Sequence, residues 1–559
     1  MNPQRWQRFT RWLSLFLVIG LLAACLPPTG APAQPSTSQT TTQATGAEKD
    51  TATKYGGTYR AMFGNDAPNL DAAHYGSWAD WWAIHMLLYN RLYTYDQDGK
   101  FVADLAAELP TMSDDGLVYT IPLRQGVKFH DGTTMTAQDV KFSLDRTFWP
   151  ELQSAGAGYN DHIAGSDAVA QGESREVSGV EVVDEYTIRI TLKEPQAIFP
   201  ANLTVSINGI VSQKAVEAAG ADWGVKTVIG TGPFKLGEWL PGDKITFERH
   251  AEYFKSGLPY LDRVELYLNV PEEAGVLHWE SGEAEYVDYF DGVHAGELGR
   301  IQNDPKLAPL LHNIPAPIFD FLQIADNVSP FNDLRVRQAI AMALNKQALA
   351  DSAGVDANVP LDDIYTRFLP MYQPDFVSDY QYDPVAAKQL LVEAGFPDGI
   401  KNVDMYVEVA LNPGMVVQAD LAKIGIEVNI LDGALDLYQD RISSGEIPLV
   451  FTGTGYSIMD GYDIMSFRFG CAGEPLPSRT HYCTDEMRQL FNQANTMLLD
   501  DPKRNELFHR MQEIAINETV YVIPVYQRNV LGLGQSYVKG ETYFFQLPTL
   551  EEVYLDPQP

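Results

Sequence analysis

From Leu123 to Arg146 the chain reads LRQGVKFHDGTTMTAQDVKFSLDR, a strand, turn and helix in succession that leaves little freedom to the fold around it. Val118 to Leu123 reads as a strand. Gly126 and the Asp131-Gly132 pair supply turn chemistry, so Val127 to His130 is expected to return as a short strand. Thr136 is a good helix N-cap, and Asp139, three residues on, gives a capping-box-like start. Val140, Phe142, Leu144 and Phe148 then supply partly helical apolar spacing. His130 and Asp131 stand side by side, but a strand-end histidine next to an Asp-Gly turn is a structural combination before it is an acid-base pair.

A chain of 559 residues exceeds what one hydrophobic core normally supports, so two or more domains are expected. The formal charge of -34 leaves no basic footprint for phosphates and excludes a nucleic-acid partner. It serves solubility and adds at most a cation-attracting field. The three cysteines show no CxxC spacing; one lies near the N-terminus, and Cys471 and Cys483 lie close together.

Residues 1–25 read as an export signal, with Arg5, Arg8 and Arg11 as the basic region and Leu13 to Leu22 as the apolar one. That run is about half the roughly twenty residues a membrane span needs. It ends in Leu22, Ala23, Ala24 and Cys25, which resembles a lipobox; Cys25 is then the lipidated mature N-terminus, and several acyl chains on one residue anchor stably. Residues 26–54, rich in Pro, Thr, Ser, Gln and Ala, cannot bury enough surface to fold and read as a disordered tether.

Several separate motifs carry one resemblance. Gly56-Gly57-Thr58 opens the first strand, the block from Leu123 to Arg146 follows, and GTGPFKLGEW occupies Gly230 to Trp239. Pro330, Phe331, Asn332, Asp333, Leu334, Arg335, Val336 and Arg337 complete the set, with Asn332 as the expected helix cap. Together they resemble the family 5 extracytoplasmic solute-binding proteins of ABC importers, the oligopeptide-, dipeptide-, nickel- and oligosaccharide-binding type. The glycines of GTGPF lack the further glycine and the Gly-Lys-Ser/Thr ending of a nucleotide loop.

The resemblance implies an α/β, two-lobed fold of the type II periplasmic-binding-protein kind, with an extra small subdomain in the first lobe. Lobe I is expected over 55–90, 195–315 and 520–559, subdomain Ib over 91–194, and lobe II over 316–519. Within lobe II, Asp383-Pro384 is an N-cap followed by proline, and Gly395 ends that helix. Strand, helix and strand follow through Met405, Leu421 and Val428, then a helix from about Leu435 to Ser443 and a strand from Leu449 to Thr452. Met487 to Asn517 reads as helical, and Val520 to Val525 and Asn529 to Gly534 as strands.

The same resemblance places ligand contacts at Asp80, Trp81 and Trp82, at Tyr159, at Phe321 and Gln323, and at Tyr456, Asp460 and Asp463. Trp78, Trp81 and Trp82 also share one helical face, so core packing is the competing reading. Peptide binders of the family carry Gly-Trp-x-Ala-Asp in the last place, the aspartate pairing with the peptide's α-ammonium. Here Tyr456 replaces tryptophan, Met459 takes the aspartate's position, and Asp460 or Asp463 is left for the role or for capping the loop. A peptide ligand is expected, with a sugar or other polar solute as the alternative. Cys471 and Cys483 flank a Pro/Gly-rich loop and, once exported, are expected to form a disulfide; metal binding with His481 lacks a fourth ligand.

There is no HExxH, G-x-S-x-G or Walker loop among these residues. With 74 acidic residues some carboxylate pair can always be nominated for glycoside hydrolysis, which makes nomination without geometry worthless. The chain is expected not to be an enzyme and to need no cofactor; a secreted hydrolase is the alternative. Its expected partners are the solute, the membrane through the lipid anchor, and the importer's permease and ATPase subunits, the receptor itself being a monomer outside the cytoplasm.

Overall fold

A computed structural model describes residues 54–556 apart from 75–78, 98, 288–292, 294, 355–357, 410, 472–482, 500 and 545–546. The expected export signal with Cys25, and the tether up to residue 53, lie outside the described residues, as do Trp78, His481 and the side chains of Asp80 and Trp81.

Thr58–Met62 is a strand whose Tyr59 and Ala61 are fully buried on its inner face. It pairs in parallel with Arg263–Tyr267; Lys244–Arg249 and Phe234–Leu240 add to that partner in antiparallel order to complete a four-stranded sheet. The GTGPF turn ahead of Phe234 lies against the end of helix Ala79–Leu88. A Cβ on Gly230 or Gly232 would collide with the backbone carbonyls of Leu88 or Leu87, which explains these glycines by close approach alone.

The small subdomain is a second four-stranded sheet, Thr111–Met112, Val118–Pro122, Thr187–Thr191 and Val180–Asp184 in spatial order, antiparallel throughout. Helix Ala137–Arg146 packs on it through Val140 and Leu144, and its capping box is formed by Thr136 and Asp139, with the Thr136 amide 3.0 Å from the Asp139 carboxylate. Thr136→Ala should lower the unfolding free energy by about 1 kcal/mol, read as a shifted denaturant midpoint at unchanged slope.

The expected strand from Val127 to His130 is not formed; Lys128 makes a single bridge to Thr134. The His130 backbone instead donates to the Gly230 carbonyl at 3.0 Å. Its ring lies between the Gly230 amide and the Gly232 carbonyl, each at 3.2 Å. This histidine ties the subdomain to the GTGPF turn, and burial holds its ring neutral, with a pKa of about 3.

The second lobe is a six-stranded mixed sheet in the order Val359–Pro360, Val522–Leu533, Leu311–Ile324, Leu449–Gly455, Ile400–Val407, Ile426–Leu431. Helices Leu334–Ala343, Pro384–Glu393 and Leu411–Lys423 cover one face, packing Ile340, Leu391 and Leu421 on Leu322, Met405 and Phe451. Asp383 caps its helix as expected, accepting from the Val385 and Ala386 amides. The cap of the helix at Leu334 is Asp333 and not Asn332, because the Asp333 carboxylate both accepts from the Arg335 amide at 2.9 Å and pairs with the Arg335 guanidinium. The expected single helix from Met487 is two, Asp485–Ala494 and Pro502–Glu513, separated at Asp501-Pro502, a new cap and N1 proline.

The expected strands at Val520–Val525 and Asn529–Gly534 are one 12-residue strand, Val522–Leu533, paired with the 14-residue strand Leu311–Ile324. Ile314 belongs to the core of the first lobe, whereas Leu322 and Ile324 belong to that of the second. The pair thus runs from one lobe into the other, and its register is interrupted between Pro315 and Phe319 and again after Asp320.

Candidate functional site: the facing walls of the two lobes

The strand Leu449–Gly455 delivers the loop Tyr456–Asp463 to the boundary between the lobes. Its backbone is tied down almost residue by residue. The Tyr456 amide donates to the Pro317 carbonyl at 3.2 Å, that of Asp460 to the Ile458 carbonyl at 2.7 Å, and that of Asp463 to the Asp460 carbonyl at 3.2 Å. Asp463 accepts from the Ser457 amide at 2.7 Å, and Asp460 accepts from the Tyr462 amide at 2.8 Å. Asp460 also forms a two-pronged ion pair with Arg504, one arm at 2.8 Å, in which both side chains are buried. Both aspartates are therefore committed within lobe II, to loop capping and to a buried counter-ion.

The opposite wall comes from lobe I and the subdomain. The Tyr95 hydroxyl accepts from the Met459 amide at 3.2 Å, His162 Nε2 lies 3.3 Å from the Tyr462 hydroxyl, and the Ala197 amide donates to the Asn495 carbonyl at 2.9 Å. Ile198, Ala201, Val205 and Ile207 pack in one apolar cluster with Tyr365, Tyr456, Ile458, Tyr462 and Phe508. Tyr159 packs half-buried against that cluster, and its carbonyl accepts from Asn202 at 2.7 Å. Aliphatic side chains of the one wall meet aromatic side chains of the other, a mixture that suits a binding wall.

The expected contact residues divide. Tyr159 and the Tyr456–Asp463 loop come together at the boundary. Phe321, a member of the same cluster, and Gln323 line with Phe319, Ile464, Phe469 and Val522 a narrow crevice beside Arg468. Arg468 is held there by Thr454 Oγ1 at 2.6 Å and the Gly453 carbonyl at 3.1 Å. Trp82 is buried in the core of lobe I with Phe63, Leu70 and Tyr89, where the helical-face reading put it. Tyr95, His162, Tyr462, Arg504 and the segment from Gln196 to Asn208 were missed, because none carries a local motif; Arg504 stands 44 residues from the aspartate it neutralises.

Cys471 and Cys483 are joined in a disulfide at the edge of the same cluster. Among the described residues no group of three or more His, Cys, Asp or Glu side chains could hold a metal ion.

Burial pushes the Asp463 carboxyl up to about 7, against the amides of Ser457 and Ile458 and the charge of Arg468. Folded Asp463 then keeps its proton at pH values where the unfolded chain, titrating near 3.8, has lost it. The stability from this group is full below the unfolded value and is lost as pH rises through the folded one. Asp363 and Glu541, also raised to about 7, act in the same sense, while His85 and His130, lowered to about 4 and about 3, act oppositely. The difference between variants is therefore the readout: Asp463→Asn should remove a fall in stability of up to about 1.4 kcal/mol per pH unit between about pH 4 and 7. Equal slopes in denaturant titrations of the two proteins would contradict this.

Two α/β lobes joined by a pair of crossing strands, with apolar and aromatic walls facing each other, make the architecture of a two-domain periplasmic binding protein. The solved structure of clavulanic acid biosynthesis oligopeptide binding protein 2 superposes with a TM-score of 0.80 at 22% identity, covering 90% of this chain and 96% of its own. The chain belongs to the bacterial extracellular solute-binding proteins of family 5, whose model matches residues 100–475. Among curated relatives, the glutathione-binding protein GsiB of Salmonella typhi is 29% identical over 484 residues, 83% of this chain and 88% of that protein. Di/tripeptide-binding protein 2 of Pseudomonas aeruginosa (strain UCBPP-PA14) is 29% identical over 470 residues, 80% and 85% of the two chains. No helix among the described residues is long and apolar enough to cross a membrane.

Proposed function

We propose that this chain is the solute receptor of an ABC importer, capturing a short peptide between its lobes and presenting it, chemically unchanged, to the permease. The observation that carries the reading is the pair of aromatic and apolar walls meeting across the lobe boundary, in a chain whose relatives over four-fifths of its length are named for glutathione and for di- and tripeptides. The lobes divide where the two long strands change core, between Ile314 and Phe319 on the outgoing strand and between Tyr526 and Val530 on the returning one, and that crossing is the hinge about which the cleft opens and closes. Tyr159, Tyr456 and Tyr462 line the cleft; Asp80 and Trp81, on helix Ala79–Leu88, are the further contacts that the family resemblance implies. Trp82, Phe321 and Gln323 support the walls.

Isothermal titration of the purified protein against dipeptides, tripeptides, glutathione, oligosaccharides and metal chelates tests the ligand class. Saturable binding by peptides is the expected result; binding by oligosaccharides alone would replace peptide with sugar in this reading. The lipid anchor is tested at Cys25: Cys25→Ser should release the protein from the membrane fraction, and unchanged partitioning would reject the anchor.

A further inference from the structure

The loop Tyr456–Asp463 meets the opposite wall through the Met459 amide, which donates to Tyr95, and the Tyr462 hydroxyl beside His162, and its charges are all engaged elsewhere. Asp460 holds the Arg504 guanidinium with both carboxylate oxygens, at a place where the arginine side chain has no exposure at all. Turning either oxygen toward a ligand would leave that guanidinium buried without a counter-ion. Asp463 points back into its own loop, accepting from the Ser457 amide at 2.7 Å, and is itself buried. The amides of Met459 and Tyr462 are taken by Tyr95 and Asp460. What remains to the loop is apolar and aromatic side chain, Ile458, Met459 and Tyr462, which in this structure are buried against their neighbours and meet the opposite wall.

We propose that this loop is an uncharged wall, and that the receptor accordingly takes peptides whose amino end is blocked, or linked through a side chain, as well as it takes peptides with a free α-ammonium. The inference rests on the peptide reading above and narrows it. An ammonium buried against a carboxylate would make removal of either charge cost roughly thirtyfold or more in affinity. Against a wall of this kind the blocked end loses no ion pair, and its acyl group gains apolar contact.

The test is a four-way titration: a free tripeptide and its N-acetylated form, each against the native protein and Asp463→Asn. The two peptides should bind the native protein within about threefold of each other, and the substitution should change both affinities by the same factor. A loss of roughly thirtyfold or more on acetylation overturns the proposal. If Asp463→Asn abolishes that loss, Asp463 is the anchor after all; if the loss persists, the anchor is an acid of the other wall, such as Asp161 beside His162. A protein that unfolds cooperatively but binds neither peptide fails the peptide reading itself, an outcome separate from selective binding of the free form.

Discussion

Asp460→Ala should lower the unfolding free energy by about 3–5 kcal/mol, the cost of leaving a fully buried guanidinium without its carboxylate. Arg504 lies under the loop with its side chain at 0% exposure and that of Asp460 at 6%. Its Nε donates to the Ala494 carbonyl at 3.2 Å and its guanidinium sits 4.8 Å from the Phe508 ring centre, so the carboxylate is its charged partner in an otherwise apolar and carbonyl-lined site. Water does not reach the site in the folded protein, and relief must come from local unfolding of the loop. Chemical denaturation should therefore show a lowered midpoint, with the loop's amides losing hydrogen-exchange protection first. The double variant Asp460→Leu, Arg504→Met should recover most of the loss, because an apolar pair of similar volume avoids desolvating two ions. A single variant within about 1 kcal/mol of the native protein would show that the pair is not buried as described.

The second large effect is expected in lobe I. Arg146, from the last turn of helix Ala137–Arg146, reaches Asp71 in the loop before helix Ala79–Leu88, at 3.0 and 2.6 Å, with both side chains 3% exposed. Phe142, Trp149 and Trp223 surround the guanidinium at 5.7 to 5.9 Å. Asp71→Ala should cost about 3–5 kcal/mol at neutral pH for the same reason. Here the acid side supplies a second check. Burial works to raise the Asp71 pKa, but the charge and hydrogen bonds of Arg146 outweigh it and hold the carboxyl below its ordinary value. A lowered folded pKa gives stability that is present above the unfolded value and is lost as pH falls through the folded one. The gap between native and Asp71→Ala proteins should accordingly narrow below about pH 4 and be widest at neutrality. A gap that is constant from pH 7 to the acid limit would contradict the pair's role.

What could be read from the sequence was local. Thr136 with Asp139 and Asp383 with Pro384 are decided within a few residues, and the structure contains both. Most of the misread elements were decided by partners far along the chain. Val127 and Phe129 close a tight local turn with Met135 and Thr133, but His130 bonds to Gly230 and Gly232 about a hundred residues later, and no ladder forms. Asn332 and Asp333 are equally good caps by type, and the guanidinium of Arg335 selects Asp333. The loop after Gly455 was legible as a contact region, but the commitment of Asp460 was not, since Arg504 lies on a helix with no motif to announce it. The crossing strands, too, read as separate short pieces, because a strand that changes cores midway changes its apolar pattern with them.

The central claim is that the protein holds a peptide between its lobes and leaves it intact. Native mass spectrometry of the purified mature protein with a tripeptide panel tests both halves at once. The account predicts the added mass of a single peptide per chain, and recovery of that peptide uncleaved on release. No adduct with any peptide, or release of fragments, would contradict it.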